Sequence, residues 1–171
     1  MIADFEALAE ACPRLKPFLR QRGGGGGFGS TVDFSNPEAL RALSAASLEA
    51  NFGIKGWDVP PDRLCPPVPV RFEYLCWVRE LVAELCPAAL EAATVRGIDL
   101  GTGASCIYPL LGAKAFGWSW LASEVDEVSA TWARRNVERS GLGASVDVVV
   151  VGAGGGGGGG GGSGGGGRAL A

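Results

Sequence analysis

Asp99-Leu100-Gly101-Thr102-Gly103-Ala104-Ser105 is the stretch of sequence that decides the fold of this chain. It closes a short apolar run, residues 94–100, and its glycines break that run, which is typical of a buried parallel strand that turns into a helix. The glycines lack the Cβ atoms that would keep a ligand away from the backbone. A helix that begins near Ser105 would aim N–H groups and its positive dipole end at the same place. The stretch therefore predicts an α/β fold with a ligand cleft at this turn.

An acidic residue follows the next apolar run along the chain. Residues 118–123 have the composition of a second strand, and Glu124 comes directly after them. Glu124 therefore lies about 20 residues past the glycines, the spacing at which a carboxylate accepts hydrogen bonds from ribose hydroxyls. The two features together predict a cradle for a cofactor that contains adenosine.

Two classes of adenosine cofactor use this plan, and Cys106 and Asp99 distinguish between them. In the dinucleotide fingerprint G-x-G-x-x-G, a third glycine lets helix and strand pack closely, but here that position is Cys106. Asp99 would bring negative charge close to a diphosphate, whereas the cationic groups of S-adenosylmethionine favour an acidic neighbourhood. These residues favour S-adenosylmethionine over NAD. For the motif taken alone, a glycine turn that only reverses the chain is the plain structural alternative.

A longer stretch around this motif resembles a known family. Residues 97–113, GIDLGTGASCIYPLLGA, closely resemble the cofactor segment of the U6 spliceosomal RNA adenine-N6 methyltransferases, the methyltransferase-like protein 16 family, and their bacterial ribosomal-RNA relatives. The resemblance continues upstream and downstream, and it spans residues 4–151 apart from the first glycine tract. Its other segments are DFSNPEALRAL at 33–43, PVPVRFEY at 67–74, LASEVD at 121–126 and ARRNVE at 133–138.

The resemblance implies a Rossmann-like, class I methyltransferase that moves a methyl group from S-adenosylmethionine to N6 of an adenine in structured RNA, either U6-like small nuclear RNA or ribosomal RNA. It implies a nuclear location, with the cytoplasm as an alternative. By position, it implies that Arg71 pairs with the methionine carboxylate and that Glu124 holds the ribose. The other cofactor contacts it implies are Gly101 and Ser105 at the methionine end, with Asp99 and Gly103 in support.

One part that the resemblance leads us to expect is absent from the sequence. The family's catalytic Asn-Pro-Pro-Phe tetrapeptide follows the fourth strand of the sheet, and no such tetrapeptide occurs in these 171 residues. After residues 145–151, which have the pattern of a third strand, the chain enters nine consecutive glycines, Ser163 and four more glycines. We therefore expect a cofactor-binding half of a catalytic domain, without catalytic residues of its own.

Composition sets limits on partners and location. The net charge of −3 argues against a uniformly basic surface for nucleic acid, so an RNA contact would need a local patch or another part of the protein. One such patch is Arg14, Lys16, Arg20 and Arg22, which either contacts RNA phosphates or is a solvated surface turn. No apolar run reaches the roughly 18 residues that span a bilayer, and no secretory signal opens the chain, so we expect an intracellular protein without membrane contact.

Cysteine and histidine usage narrows the possible chemistry. The five cysteines are scattered without a C-x-x-C pair, a pattern that fits neither a zinc site nor a disulfide framework, so we expect no bound metal. The chain has no histidine, which removes Ser-His and Cys-His nucleophilic machinery. Positioning and hydrogen bonding of an adenine amine need no histidine, so this composition is compatible with N6 methylation.

The predicted architecture is a partial Rossmann-like three-layer sandwich, with an N-terminal helical extension, that stops after its third parallel strand. Asn36 and Asp126 are expected to cap helices, and Tyr74, Trp77 and Leu85 are expected in the core. The predicted segments are a helical and basic extension at 1–22, a glycine-rich linker or insertion at 23–30, a helical lead-in with a Pro-rich wrap at 31–90, the half-domain at 91–151 and a glycine-rich tail at 152–171.

Three functions remain open at this point. The first is a fragment of an RNA adenine-N6 methyltransferase. The second is a non-catalytic module that keeps the pocket and binds cofactor or RNA. The third is a small Rossmann NAD-dependent oxidoreductase, which the choice between S-adenosylmethionine and NAD would separate from the other two.

Overall fold

The computed structural model describes residues 4–21, 29–92 and 95–152. Helices and strands alternate in its second half, as the sequence predicts. The helices are α1 (Phe5–Ala11), α2 (Pro37–Phe52), α3 (Val68–Leu85), α4 (Pro87–Glu91), α5 (Ile107–Phe116) and α6 (Glu127–Arg139), with a 3-10 helix at Pro13–Phe18. The strands are β1 (Leu19–Gln21), β2 (Ser30–Val32), β3 (Arg96–Leu100), β4 (Ser119–Glu124) and β5 (Val146–Val150).

Three parallel strands form the main sheet in the order β3-β4-β5. Leu100 pairs with Ser123, and Glu124 pairs with Val150, so the carboxyl ends of the strands meet at one edge. The structure confirms the predicted strands to within two residues at each end. Parallel order places the loop after β3 beside the end of β4, which is where open α/β sheets bind ligands.

The helix boundaries follow local capping rules. Asn36 accepts hydrogen bonds from the N–H groups of Glu38 and Ala39, with Pro37 at the first helical position of α2. Gly53 ends that helix in the left-handed conformation, at φ 64°. Asp126 caps α6 through the N–H of Ser129. These ends form as predicted because each depends only on residues within a few positions of it.

A short antiparallel pair lies where the sequence predicted only a basic extension and a linker. β1 pairs with β2 in the register Leu19↔Val32 to Gln21↔Ser30. Val32 joins Leu15, Ala39 and Ala42 in a small separate core that packs the N-terminal segment against α2. Arg22, residues 23–28 of the predicted glycine-rich linker at 23–30 and the tail from 153 onward lie outside the described residues.

The helices cover one face of the main sheet. Residues of α2, α3, α5 and α6 share a single core with Ala122 of β4 and Val148 of β5. The opposite face presents Ile98, Leu100 and Leu121 to solvent, at 68%, 80% and 41% exposure. The described residues therefore form two layers of the predicted three-layer sandwich, with one apolar sheet face open.

The orientation of α3 corrects an expectation from the sequence. Tyr74, Trp77 and Leu85 were expected in the core, but they are 50%, 53% and 75% exposed. The helix begins at Val68 and buries Leu75. α3 packs most closely against α5. The apolar face of α3 is wider than this contact, so part of it stays exposed. Val128 of α6 is likewise 53% exposed.

Trp120 explains two of the glycines. Its indole lies between Gly97 of β3 and Gly112 of α5, and a Cβ at Gly112 would come 2.5 Å from the Trp120 ring, while a Cβ at Gly97 would overlap it. Such contacts are closer than packed atoms tolerate, so strand, helix and indole fit only because both positions lack side chains.

We predict that Gly112→Ala destabilises the protein even though alanine favours helices. The added methyl must displace Trp120, and overpacking of this kind typically costs about 1–3 kcal/mol. Gly143→Ala is the matched control, since a Cβ there meets nothing within 4 Å. Thermal unfolding followed by circular dichroism measures both. A Gly112→Ala variant as stable as the control would contradict this view of the packing.

Candidate functional site

A cleft of about 360 Å³ lies at the carboxyl edge of the sheet. Its volume falls in the range of small-molecule sites, about 300–1,000 Å³. The structure brings five of the six predicted cofactor residues to its wall. They are Arg71, Asp99, Gly101, Gly103 and Ser105.

The glycine loop is hydrogen-bonded to the end of β4. The N–H groups of Gly101 and Thr102 both donate to the Ser123 carbonyl at 2.9 Å. Gly101 and Gly103 have φ of 74° and 64°, a region that glycine enters without strain. A Cβ at either glycine would meet nothing within 4 Å. Both positions therefore face open space, into which a ligand can come close to the backbone.

Glu124, the sixth predicted residue, joins the loop to the strand end. Its carboxylate accepts from the N–H of Gly103 at 2.8 Å, and also from Val125 at 2.8 Å and Asp126 at 3.0 Å. Its residue exposure is only 8%. Charge-assisted bonds from backbone N–H groups are strong, so this carboxylate fixes the loop conformation before any ligand binds.

Asp99 is the second carboxylate of the site. Burial raises the pKa of its carboxyl group, and the nearby negative charge of Glu124 raises that pKa further. Both effects disfavour the charged form, and a bound cation would reverse them. The local electrostatics therefore favour a positively charged ligand group beside Asp99.

Arg71 is held in the cleft by a residue that the sequence reasoning missed. Its Nη1 donates to the phenolic oxygen of Tyr108 at 2.8 Å, and its guanidinium carbon lies 5.6 Å from the Tyr108 ring centroid. Tyr108 is the second residue of α5, directly after the glycine loop, and that position is the signal that could have identified it. Arg63 was also missed; it lines the cleft and pairs with Asp126 at 2.9 Å.

The helix after the loop begins two residues later than predicted, at Ile107. Cys106 stands at its N-cap in the left-handed conformation, at φ 48°, without a side-chain capping bond. Cys106, at the third fingerprint position, thus adopts a left-handed backbone conformation that glycine enters easily and residues with a side chain rarely do. Burial raises the pKa of its thiol to about 12, so Cys106 remains uncharged.

The predicted basic patch is largely engaged in ion pairs. Arg14 pairs with Asp58 at 3.4 Å, and Arg20 pairs with Asp33 at 3.1 Å. Their side chains nevertheless remain 49% and 65% exposed. Lys16 is also exposed, and Arg22 lies outside the described residues. The structure brings Arg14 and Arg20 into internal pairs but not to the cleft.

Across 4–21, 29–92 and 95–152 no group of three or more Cys, Asp or Glu side chains is arranged to hold a metal ion. No helix within the described part of the chain has both the length and the apolar character needed to cross a membrane.

Comparison with known proteins gives one consistent result. The model of an RNA methyltransferase family matches residues 2–153. The ribosomal RNA large subunit methyltransferase F of Aeromonas salmonicida is 40% identical over 146 residues, which cover 84% of this chain and 45% of that protein. Its counterpart from Shewanella frigidimarina is 43% identical over 126 residues, 74% of this chain and 34% of that protein. The chain thus spans less than half the length of these relatives.

Solved structures agree in fold. The N-terminal domain of human METTL16 in complex with SAH superimposes with a TM-score of 0.79 at 39% identity, over 89% of this chain and 56% of that one. The human METTL16 catalytic domain in complex with MAT2A 3'UTR hairpin 1 gives a TM-score of 0.74 at 41% identity, over 88% and 48%. The likeness extends across both layers described above.

The burial of Asp99 predicts an unusual dependence of stability on pH. A raised pKa means that the folded state binds a proton more readily than the unfolded state. Stability conferred by protonated Asp99 is therefore lost as pH rises through its raised folded pKa. We expect Asp99→Asn to gain stability relative to the parent protein as pH rises through that window.

Asp126→Asn is the control of opposite sign. Hydrogen bonds from Ser129 lower the pKa of Asp126, so its contribution to stability is present above the ordinary pKa of 3.8 and is lost as pH falls through the lowered value. Thermal melts between about pH 3 and 8 measure both variants against the parent protein. Parallel curves for Asp99→Asn and the parent would show that this carboxyl group is not desolvated.

Proposed function

The chain belongs to the RNA methyltransferase family, whose cofactor is S-adenosylmethionine, and we propose that the cleft beside the glycine loop is its site for that cofactor. When bound, S-adenosylmethionine supplies an activated methyl group. The observation that carries the proposal is the arrangement of unlike charges around one loop. The Arg71 guanidinium and the Asp99 carboxylate both line the cleft, and the Glu124 carboxylate holds the glycine loop.

Arg71 suits the methionine carboxylate. A guanidinium has about five N–H donors and can grip a carboxylate through two of them. The bond to Tyr108 uses one donor and holds the guanidinium at the cleft wall. Because α3 begins directly after Pro67, the residue sits in the first turn of a helix whose start is rigid.

The acidic side suits the rest of the cofactor. Asp99 would face the cationic groups of the methionine part, whose charge would offset the cost of its burial. Glu124 is proposed to hold the ribose hydroxyls. A carboxylate has about four acceptor sites, and three backbone N–H groups already bond to this one, so about one site remains for a ribose hydroxyl. Gly101, Gly103 and Ser105 would line the methionine end.

NAD fits this cleft less well. The third fingerprint glycine is replaced by Cys106, and a partly buried carboxyl group, Asp99, lines the same cleft. A diphosphate next to that carboxylate would add repulsion to the existing cost of burial. We therefore favour the methyl donor over an oxidoreductase reading of the same loop.

We propose structured RNA as the methyl acceptor, with N6 of adenine as the target atom. The name of the bacterial relatives, ribosomal RNA methyltransferases, and the RNA hairpins in complexes of the METTL16 domain support RNA as the acceptor, while the N6 target rests on the resemblance of residues 97–113 alone. The bacterial relatives favour ribosomal RNA and an intracellular, cytoplasmic setting over U6-like RNA and the nucleus. Arg14, Lys16, Arg20 and Arg22 are the proposed phosphate contacts.

The acceptor pocket is proposed to lie outside these 171 residues. The chain holds no Asn-Pro-Pro-Phe tetrapeptide, and its relatives contain more than half of their length beyond the matched part. Among the described residues, the apolar face at Ile98, Leu100 and Leu121 is open and no strand pairs with the outer edge of β3, as expected of half of a sheet. A non-catalytic cofactor-binding module is the second candidate, favoured by the same absence.

We predict that Arg71→Ala weakens S-adenosylmethionine binding tenfold or more, as loss of a charged hydrogen-bonding partner typically does. Arg79→Ala is the matched control. Arg79 also lies on α3 with its guanidinium 5.7 Å from an aromatic ring, that of Phe116, but it does not line the cleft. Isothermal titration calorimetry measures both. Equal affinities in the two variants would remove Arg71 from the site.

We further predict that the 171-residue chain binds S-adenosylmethionine but does not methylate RNA. Methyl transfer needs the acceptor amine held at near-attack distance, and misplacement alone costs about a hundredfold. The assay combines tritiated cofactor with an adenine-containing RNA hairpin and with ribosomal RNA. Incorporation that Arg71→Ala abolishes and Arg79→Ala leaves intact would show that residues of this chain complete the acceptor pocket.

A further inference from the structure

Two buried side chains grip the glycine loop from behind. Trp57 Nε1 donates to the Ser105 carbonyl at 2.9 Å, and Asn136 Nδ2 donates to the Ala104 carbonyl at 3.0 Å. Trp57 is 1% exposed and Asn136 is fully buried. Neither residue lines the cleft, so neither can contact a ligand there directly.

We propose that Trp57 and Asn136 are positioning residues that set the cofactor affinity of the loop by fixing the orientation of two of its peptide groups. The inference rests on the proposed function of the cleft. The described peptide bonds are all trans, so a held carbonyl fixes the direction of the N–H on the same peptide plane. The two bonds therefore determine where the N–H groups of Ser105 and Cys106 point.

The loop needs such an external hold because its own sequence does not favour its shape. Cys106 carries a side chain in the left-handed region, at φ 48°, and α5 begins there without a side-chain cap. A non-glycine residue in that region is strained, and strain persists only where the surroundings enforce it. Trp57 and Asn136 bond to the two residues directly before Cys106.

The Asn136 amide is bonded at both its polar atoms, to the loop and to Asp58. Its Nδ2 also donates to the Asp58 carbonyl at 2.8 Å, and its Oδ1 accepts from the Asp58 N–H at 3.0 Å. A buried amide is costly unless its polar atoms are bonded, and here both its oxygen and its nitrogen are. Asn136 thus ties the loop to residue 58.

Arginines from the N-terminal part of the chain hold residues 57 and 58 in place. Arg14 and Arg41 both pair with the Asp58 carboxylate, at 3.4 Å and 3.1 Å. Arg14 also donates to the Trp57 carbonyl at 3.4 Å. The position of the cofactor loop is therefore connected, through Asp58 and Asn136, to the basic extension that we propose as an RNA contact.

The test uses Trp57→Phe, which removes the Nε1 donor and keeps most of the aromatic volume. Trp118→Phe is the matched control, because Trp118 is 4% exposed in the same core and packs against Phe116 and Trp120 away from the loop. We expect both variants to melt at lower temperature. Only Trp57→Phe should bind S-adenosylhomocysteine about five- to tenfold more weakly in calorimetry below the melting transition.

A second measurement does not depend on the ligand. Hydrogen exchange of the amides of residues 104–106 should quicken in Trp57→Phe and in Asn136→Asp, which loses the amide donor, and stay unchanged in Trp118→Phe. Equal changes in the Trp57 and Trp118 variants, or unchanged affinity in Trp57→Phe, would overturn the positioning role. If the parent protein does not bind S-adenosylhomocysteine but the hydrogen exchange of the variants changes as expected, the proposed function is overturned instead. Trp57 and Asn136 would then have a structural role only.

Discussion

The bond from the Gly103 N–H to the Glu124 carboxylate is the interaction on which the site depends. It joins the loop after β3 to the end of β4, and it forms because parallel pairing brings those two ends to one edge of the sheet. The bonds of Gly101 and Thr102 to the Ser123 carbonyl reinforce the same junction. Every other feature of the cleft is built against this fixed loop.

The placement of charge around the glycine loop lowers the stability of the ligand-free protein, and a cationic ligand would restore part of it. Burial and the nearby Glu124 disfavour the charged form of Asp99, and the left-handed Cys106 adds backbone strain. Both features lower stability in the ligand-free protein. A cationic cofactor beside Asp99 would recover part of the cost, which is the logic of a preorganised site.

One face of the main sheet is uncovered. Parallel sheets normally have both faces covered, and here Ile98 and Leu100 lie exposed on one of them. The relatives are more than twice as long as the matched part of this chain. Under our proposal the same uncovered surface and the missing acceptor pocket have one cause, since both would be supplied by further polypeptide.

The sequence by itself determined the three strands of the main sheet, the glycine loop, the helix caps at Asn36 and Asp126, and the family, because strand patterns, turns and caps depend on residues close together in the chain. It also indicated which residues would meet in the cleft. Only the tertiary structure decided that Tyr108 holds Arg71, that Trp57 and Asn136 bond to the loop, and that Tyr74 and Trp77 face solvent. These outcomes depend on contacts between segments as far as 48 residues apart, and on which helix face meets a neighbour, and no local pattern records either.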